Sequence, residues 1–332
     1  MNCRKTIAAI ASLILLPAGC TAPQVQTSRF DAYAADIGLT HQEAVEVYGE
    51  PTPDTEWTMA LAVETDAGNW QKVLELTETD RTSEFGTCCR NLAKSQTGRL
   101  CDGLMDYYQP FERGLFIPVG EKTGRFMIAQ SGEVWYRLGE MTMAEHSAIL
   151  GLSFSPQKKG AKFLRRLGEI NRILGQDEAA AKYFSLAGCS SALSDEELLL
   201  ARSRLPRRDV IHGGTDVRTP LRLLVEANRA NLAAYDYLLC YDLLTKRLDW
   251  FLEDFDPGQP GSRVYQEAAL ITLAGEKELP LQQLLNFGVT QEACNDFWQF
   301  NEDMQTMDFE TLRGRWQGSY WFWFKYATRN EK

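Results

Sequence analysis

Histidine is scarce in this chain of 332 residues: His41, His146 and His212 stand far apart. None has the spacing a zinc site needs, so no metal ligand set is assigned. Cysteine occurs, but never as C-x-x-C. After Cys3 and Cys20 come Cys88, Cys89, Cys101, Cys189, Cys240 and Cys294, scattered along the chain. Adjacent Cys88 and Cys89 point to different sides of a helix, so at most one readily faces Cys101. Small buried hydrophobes are the reading preferred for these thiols, with a disulfide framework as its alternative. No Gly-rich phosphate loop follows a strand, and neither G-x-S-x-G nor H-E-x-x-H is present, which removes several enzyme classes. No catalytic residue and no cofactor are assigned. Positive charge is also in deficit: 35 basic against 45 acidic residues leave −10. Such a field opposes nucleic-acid binding by counterion release and disfavours a loose electrostatic hold on anionic lipid.

What is present is a globular composition, with 44% hydrophobic residues and 11% aromatics, enough for a substantial core. The first residues, "MNCRKTIAAIASLILLPAGC", combine a basic start with an apolar run from Ile7 to Leu16 and small residues before Cys20. That run is about 10 residues long where a spanning helix needs about 20, so it reads as a secretion signal. "LPAGC" resembles a bacterial lipoprotein processing box, with Pro17 where leucine is usual. The resemblance implies that residues 1–19 are removed and that Cys20 becomes the lipid-bearing first residue, whose two or more acyl chains hold stably. An ordinary secreted protein cut nearby is the alternative. Thr21 follows, so the aspartate retention signal is missing and an outer-membrane anchor facing the periplasm is expected. Residues 20–29 read as a tether, and 30–332 as one helical domain.

Within that domain, convincing alternating strands are absent and helical periodicity dominates. "RRLGEINRILGQDEAAAKYFSLAG" (Arg165–Gly188) reads as two short helices about a turn at Gly175. Small residues at Gly168 and Ala180 let the helices approach, and Phe184 is expected to fill the gap toward the next unit. Upstream, "GEVWYRLGEMTMAEHSAILG" repeats the pattern with its turn at Gly139, 36 residues earlier, and "AGNWQKVLEL" places Gly68 another 71 residues before that. Downstream, "YDLLTKRLDWFLEDF" turns near Lys246, again 71 residues after Gly175, and "NFGVTQEACNDFW" turns at Gly288. Weaker turns are expected at Gly98 and near Pro206. A helical hairpin cannot bury its apolar face alone, so hairpins on a shared period predict a stack. The L-G pair and the Ala180, Phe184, Ala187 series resemble the tetratricopeptide repeat, with Asn171 in place of an aromatic and Ala192 in place of the terminal proline. The expected fold is therefore all-α, a tetratricopeptide-like solenoid of stacked antiparallel helix pairs; an irregular helical bundle is the alternative. The ordered segments "NWQKVLEL", "GEVWYRLG", "KFLRRLGEINRILGQDEAAAKYF" and "GSYWFWFKYA" resemble an uncharacterised family of bacterial envelope proteins with such a region. That family's role is unknown, so the likeness bears on architecture and compartment only.

Repeat register places Glu133, Arg137, Glu169, Arg172, Tyr237 and Tyr241 on the inner helices as candidate contacts for a protein or peptide partner. Two irregular stretches, near 109–124 and 205–220, are longer than ordinary helix connections and are candidate functional loops. The second holds Arg207, Arg208 and His212 beside Asp209, Asp216 and Arg218, read as a solvated loop, an anion-recognition loop or a histidine base without a nucleophile. Asp254 and Asp256 suggest paired carboxylates, as in a hydrolase of glycosides, yet Asp256-Pro257-Gly258 is strong turn chemistry. In "RWQGSYWFWFKYA", aromatics on every side of the helix imply a buried terminal cap that closes the last groove of the stack, which is the preferred reading; partner or glycan contact through Trp321 and Trp323 is the functional alternative. A lipid-anchored periplasmic adaptor for a protein or peptide, not an enzyme, is the function expected, with a nutrient (glycan)-binding lipoprotein as the runner-up.

Overall fold

The computed structural model describes residues 28–79, 81–190, 193–206, 217–274 and 281–329, and all regular structure among them is helical. The expected signal segment, Cys20 and most of the expected tether lie outside these residues. The first group of helices is α1 (Arg29–Asp36), α2 (His41–Tyr48), α3 (Pro53–Asp66), α4 (Trp70–Thr77) and α5 (Glu84–Thr97). A middle group follows: α6 (Arg125–Gln130), α7 (Gly132–Leu138), α8 (Met141–Phe154), α9 (Ala161–Ile173), α10 (Asp177–Ala187) and α11 (Asp195–Arg204). The last comprises α12 (Arg218–Ala227), α13 (Leu232–Leu244), α14 (Leu248–Asp254), α15 (Arg263–Leu273), α16 (Leu281–Asn286), α17 (Gln291–Thr306), α18 (Phe309–Trp316) and α19 (Tyr320–Tyr326). Polar residues mark many of the starts. Thr40 with Glu43 and Ser194 with Glu197 form reciprocal capping boxes at α2 and α11.

One turn recurs along the chain. The pairs α1/α2, α3/α4, α7/α8, α9/α10, α13/α14 and α16/α17 turn at Gly38, Gly68, Gly139, Gly175, Lys246 and Gly288, all with positive φ. In each, the next amide reaches back five residues to a helix carbonyl, from Leu39 to Ala34 at 2.8 Å through Gln176 to Asn171 at 2.8 Å to Val289 to Leu284 at 3.0 Å. This is the bond that closes a helix with a left-handed residue and releases the chain into the next one. Gly139 is the most constrained, because an added Cβ would lie 2.7 Å from the Arg204 carbonyl oxygen as well as face the unfavourable φ of +92°. The expected turn at Gly98 does not form: its φ is −174°, and it simply ends α5. Gly38, by contrast, adds a hairpin that the sequence pattern did not single out.

The helices of α9/α10 pack through a small-residue seam. A Cβ on Gly168 would meet the Phe184 ring at 2.6 Å, so Phe184 folds back onto its own hairpin rather than reaching toward the next unit. Gly151 of α8 is likewise covered by Phe163 of α9, tying one hairpin to its successor.

Buried apolar side chains form three clusters in chain order. The first joins α1, α3, α4 and α5 through Phe30, Tyr33, Leu61, Val73 and Phe85, with Phe163 inserted from α9. The central one gathers Leu92, Phe116, Trp135, Ile170, Tyr237, Phe251, Tyr265 and Tyr320. The last contains Leu270, Phe297, Phe300, Leu312 and Trp321. Cys88, Cys89, Cys101 and Cys240 are buried, unpaired thiols within this packing, and Cys189 is exposed. No described helix is long and apolar enough to cross a membrane.

Candidate functional site

Helix α9 carries Lys162, Arg165 and Arg166 in an otherwise apolar surround, and these cations organise a buried charge cluster. Arg166 bonds Asp66 at 3.0 Å, Glu133 at 2.7 Å and Glu169 at 2.7 Å, with its guanidinium 3.7 Å from the Tyr136 ring centroid. Arg165 holds Asp36 at 2.9 Å and Asp66 at 2.6 Å, and Lys162 reaches Asp66 at 3.4 Å. Burial works against the Asp66 charge, but Lys162, Arg166 and Arg165 outweigh it and hold this carboxyl far below the usual carboxylate range. Glu169 moves upward instead, because burial outweighs its bond to Arg166.

Glu133, Glu169 and Tyr237 were expected to be contacts on an open face, and the structure corrects this: all three are buried. The two glutamates turn inward because Arg166 neutralises them there. Tyr237 belongs to the central cluster, edge-on to Phe116, with its hydroxyl unpartnered. Arg137 is half-buried between the Trp70 and Tyr136 rings, at 4.8 and 5.1 Å, and donates to the Asp66 carbonyl. Arg172 donates to the Leu193 carbonyl, and Tyr241 packs its ring toward Phe116.

The terminal aromatics follow the burial reading, and the alternative of exposed contacts at Trp321 and Trp323 is not met. Trp321 is 1% exposed, and its indole N–H donates to the Glu267 carbonyl at 2.9 Å. Trp323 is half-buried against Tyr320 and Phe111, ring centroids 5.8 and 5.1 Å away, so neither ring forms an open platform. The same contacts consume half of the first irregular stretch. Gln109, Leu115 and Phe116 are buried, and only residues from Pro118 onward form an exposed loop. In the second stretch, Arg207, Arg208 and His212, with Asp209 and Asp216, lie outside the described residues.

Asp254 does pair with a carboxyl, but with Asp242 rather than Asp256. Asp256 instead accepts the Gly258 amide at 2.9 Å, as its turn sequence implies. Asp242 is fully buried near the end of α13, its Oδ1 bonded to Arg218 at 3.2 Å and the Asp254 carboxyl close by, while its Oδ2 has no partner. Burial and then the Asp254 charge push it up to about 8 against the pull of Arg218. Arg218 also binds Asp254 at 2.7 Å and Glu253 at 3.0 Å, so these acids are occupied by arginine rather than aimed at one open cleft.

An open site lies elsewhere, where the end of α5, the end of α11 and the start of α13 converge. A cavity of about 240 Å³ there is lined by Ser95, Arg99, Ser203, Arg204, Asn231, Asp236 and the first residues of α13. Arg99 forks onto Asp236 through two bonds of 2.6 Å, and Tyr265 donates to the same carboxylate at 3.0 Å. Arg204 has only neutral acceptors among the described residues, Gln96 Oε1 at 2.8 Å and the Arg137 carbonyl at 2.6 Å. Burial and the nearby Arg137 charge push it down to about 10, which still leaves it charged at neutral pH. Asn231 fixes the start of α13: its amide donates to the Leu138 carbonyl at 2.7 Å and its oxygen caps Ala234. Sequence reading missed this site because its residues come from three separated segments. The available signal was Arg202-Ser203-Arg204 closing a helix whose first turn is acidic.

The chain matches the profile described as Family of unknown function (DUF6057) over residues 4–188 and 189–327, and it belongs to that family. No curated protein and no solved structure matches it.

Proposed function

We propose that this member of the family is a lipid-anchored helical-repeat adaptor of the cell envelope that holds a protein or an extended peptide. The observation that carries this reading is the recurring left-handed turn, with one hydrogen-bond pattern at Gly38, Gly68, Gly139, Gly175, Lys246 and Gly288. Helix pairs linked in this way resemble tetratricopeptide units, whose stacking produces a long, rigid surface. A rigid surface lowers the ordering cost of binding. Cys20 anchors the chain through its lipid, and the outer membrane is the compartment that Thr21 favours.

The partner contacts are reassigned from Glu133, Glu169 and Tyr237 to the mouth of the arginine-lined cavity, where Leu200, Ser203 and Ala230 are exposed. A photo-crosslinking side chain at position 200 in intact cells, followed by mass spectrometry, tests this. The expected result is a discrete protein adduct that a probe at position 285, also on an exposed leucine, does not give. Identical adduct patterns from both positions, or a saturable glycan heat in calorimetry without any adduct, would sink the adaptor. Labelling with a radioactive fatty acid, lost in Cys20→Ser, tests the anchor separately.

A further inference from the structure

The cavity between α5, α11 and α13 contains a charge imbalance. Asp66, Glu133 and Asp254 are each answered by buried or half-buried arginines. Arg204 has no carboxylate answering it among the described residues. Arg99 and Asp236 cancel within the cavity, so one positive charge remains uncompensated there. Three further features point to the same centre. Ser95 is more than nine-tenths buried, lines the cavity, and has a hydroxyl without a hydrogen-bond partner. Such an orphaned group costs about 1–3 kcal/mol unless something meets it. The first turn of α13, a helix of 13 residues, lines the wall at Leu232 and Ala233. The Leu232 and Ala234 amides there are already bonded, to the Ala230 carbonyl and to Asn231 Oδ1, so this wall contributes chiefly the positive end of the helix dipole, which favours negative charge. The cavity is also open to solvent, since Gly98, Ser203 and Ala230 on its rim are exposed.

We propose that this cavity binds the carboxylate of a singly charged ligand, either a free organic acid or the C-terminal end of a peptide, held by Arg204 and Ser95. Two arginines against one aspartate call for one negative charge. A doubly charged phosphate would leave an excess negative charge facing Asp236. Arg204 presents a planar fork suited to two carboxylate oxygens. The peptide source rests on the adaptor reading, whereas the free-acid source does not.

Calorimetry on the full chain tests the assignment with four probes: propionate, a short peptide with a free C-terminus, the same peptide amidated, and inorganic phosphate. Propionate is expected to bind saturably, and Arg204→Gln to weaken it about tenfold or more, as for loss of a charged hydrogen bond. Ser203→Glu is the second variant. Ser203 is exposed at the mouth, so the change spares the core while placing a competing carboxylate at the entrance, and it is expected to block propionate equally. Tighter binding of phosphate than of propionate overturns the carboxylate assignment. So does absence of propionate binding at millimolar concentration, or unchanged binding in both variants. Propionate bound while neither peptide binds upholds the site and removes the adaptor reading. Free and amidated peptides bound equally, and unaffected by Ser203→Glu, leave the adaptor standing and overturn the site.

Discussion

Asp66 and Asp242 are both aspartates near the ends of long helices, both are taken out of water, and they titrate in opposite directions. Asp66 at the end of α3 meets three cations from one helix, Lys162, Arg165 and Arg166. Asp242 at the end of α13 meets one cation, Arg218, and a second acid, Asp254. Burial alone raises a carboxyl, so the number and sign of neighbouring charges decide the outcome. The first region therefore locks its helices through ionised groups, while in the later one burial and the neighbouring acid hold Asp242 toward its protonated form.

The largest effect is expected from removing the organising cation. Arg166→Met leaves Glu133, Glu169 and Asp66 short of a partner in the interior, which costs about 3–5 kcal/mol when a buried pair is broken from one side. Urea denaturation at neutral pH measures it; a loss no greater than that of an exposed pair would erase the contrast between the two regions.

A sharper test uses pH. Asp242 sits above its ordinary 3.8, at about 8, so the folded state retains a proton that the unfolded chain has already released. Its contribution is fully present below about pH 4 and is lost as pH rises through about 8, with a slope of up to ~1.4 kcal/mol per pH unit. Asp66 has the opposite sign: it is held below 3.8, so its contribution is present above that pH and is lost as the solution becomes acidic. Asp242→Asn is expected to flatten the alkaline decline and leave the acid limb unchanged. Thermal melts from about pH 2 to about pH 9 read both limbs, and an unaltered slope between about pH 4 and about pH 8 in the variant would remove this account of Asp242.

Two turn variants extend the comparison to the backbone. Gly139→Ala meets both φ of +92° and the Arg204 carbonyl oxygen at 2.7 Å, and a destabilisation of about 2 kcal/mol is expected from strain plus overlap. Lys246 already tolerates a φ of +59°. Its Nζ donates to the Phe324 and Ala327 carbonyls at 2.7 Å each. Lys246→Ala keeps the backbone strain and removes those bonds, an expected loss of about 1 kcal/mol. Equal losses in urea at both positions would show that the steric overlap at Gly139 relaxes without cost.

The hairpins were legible because a left-handed turn leaves a local mark: Gly68, Gly139, Gly175 and Gly288 each stand where the periodicity breaks. Lys246 was found by spacing alone, since lysine carries no such mark. Side-chain direction was much less legible. Repeat register assigned Glu133 and Glu169 to the concave face of the stack, and register does not say how deeply a charged side chain is buried. What turned them inward is Arg166, which is 33 residues from Glu133, and register within one hairpin does not encode such a partner. The clue in hindsight is the run Lys162, Arg165, Arg166 in a helix packed on both sides. The arginine-lined cavity was illegible for a different reason. Ser95, Arg204 and Asn231 form no motif, and only the meeting of three helix ends makes them neighbours. Burial of the terminal aromatics was the preferred expectation, because rings on every side of a helix need cover, although aromatic density alone is compatible with either a cap or a platform.

The docking of the last helix dictates an order of assembly. Tyr320 completes the central cluster and donates to the Leu243 carbonyl at 2.8 Å, and Trp323 covers Phe111. A chain emerging N-terminus first can close its first cluster once Phe163 has appeared, yet its middle layer stays unsealed until almost the whole polypeptide has followed. Nascent molecules therefore pass through a long interval with Phe111 and Phe116 uncovered, and that interval, rather than the finished fold, is where chaperones and proteases have their opportunity.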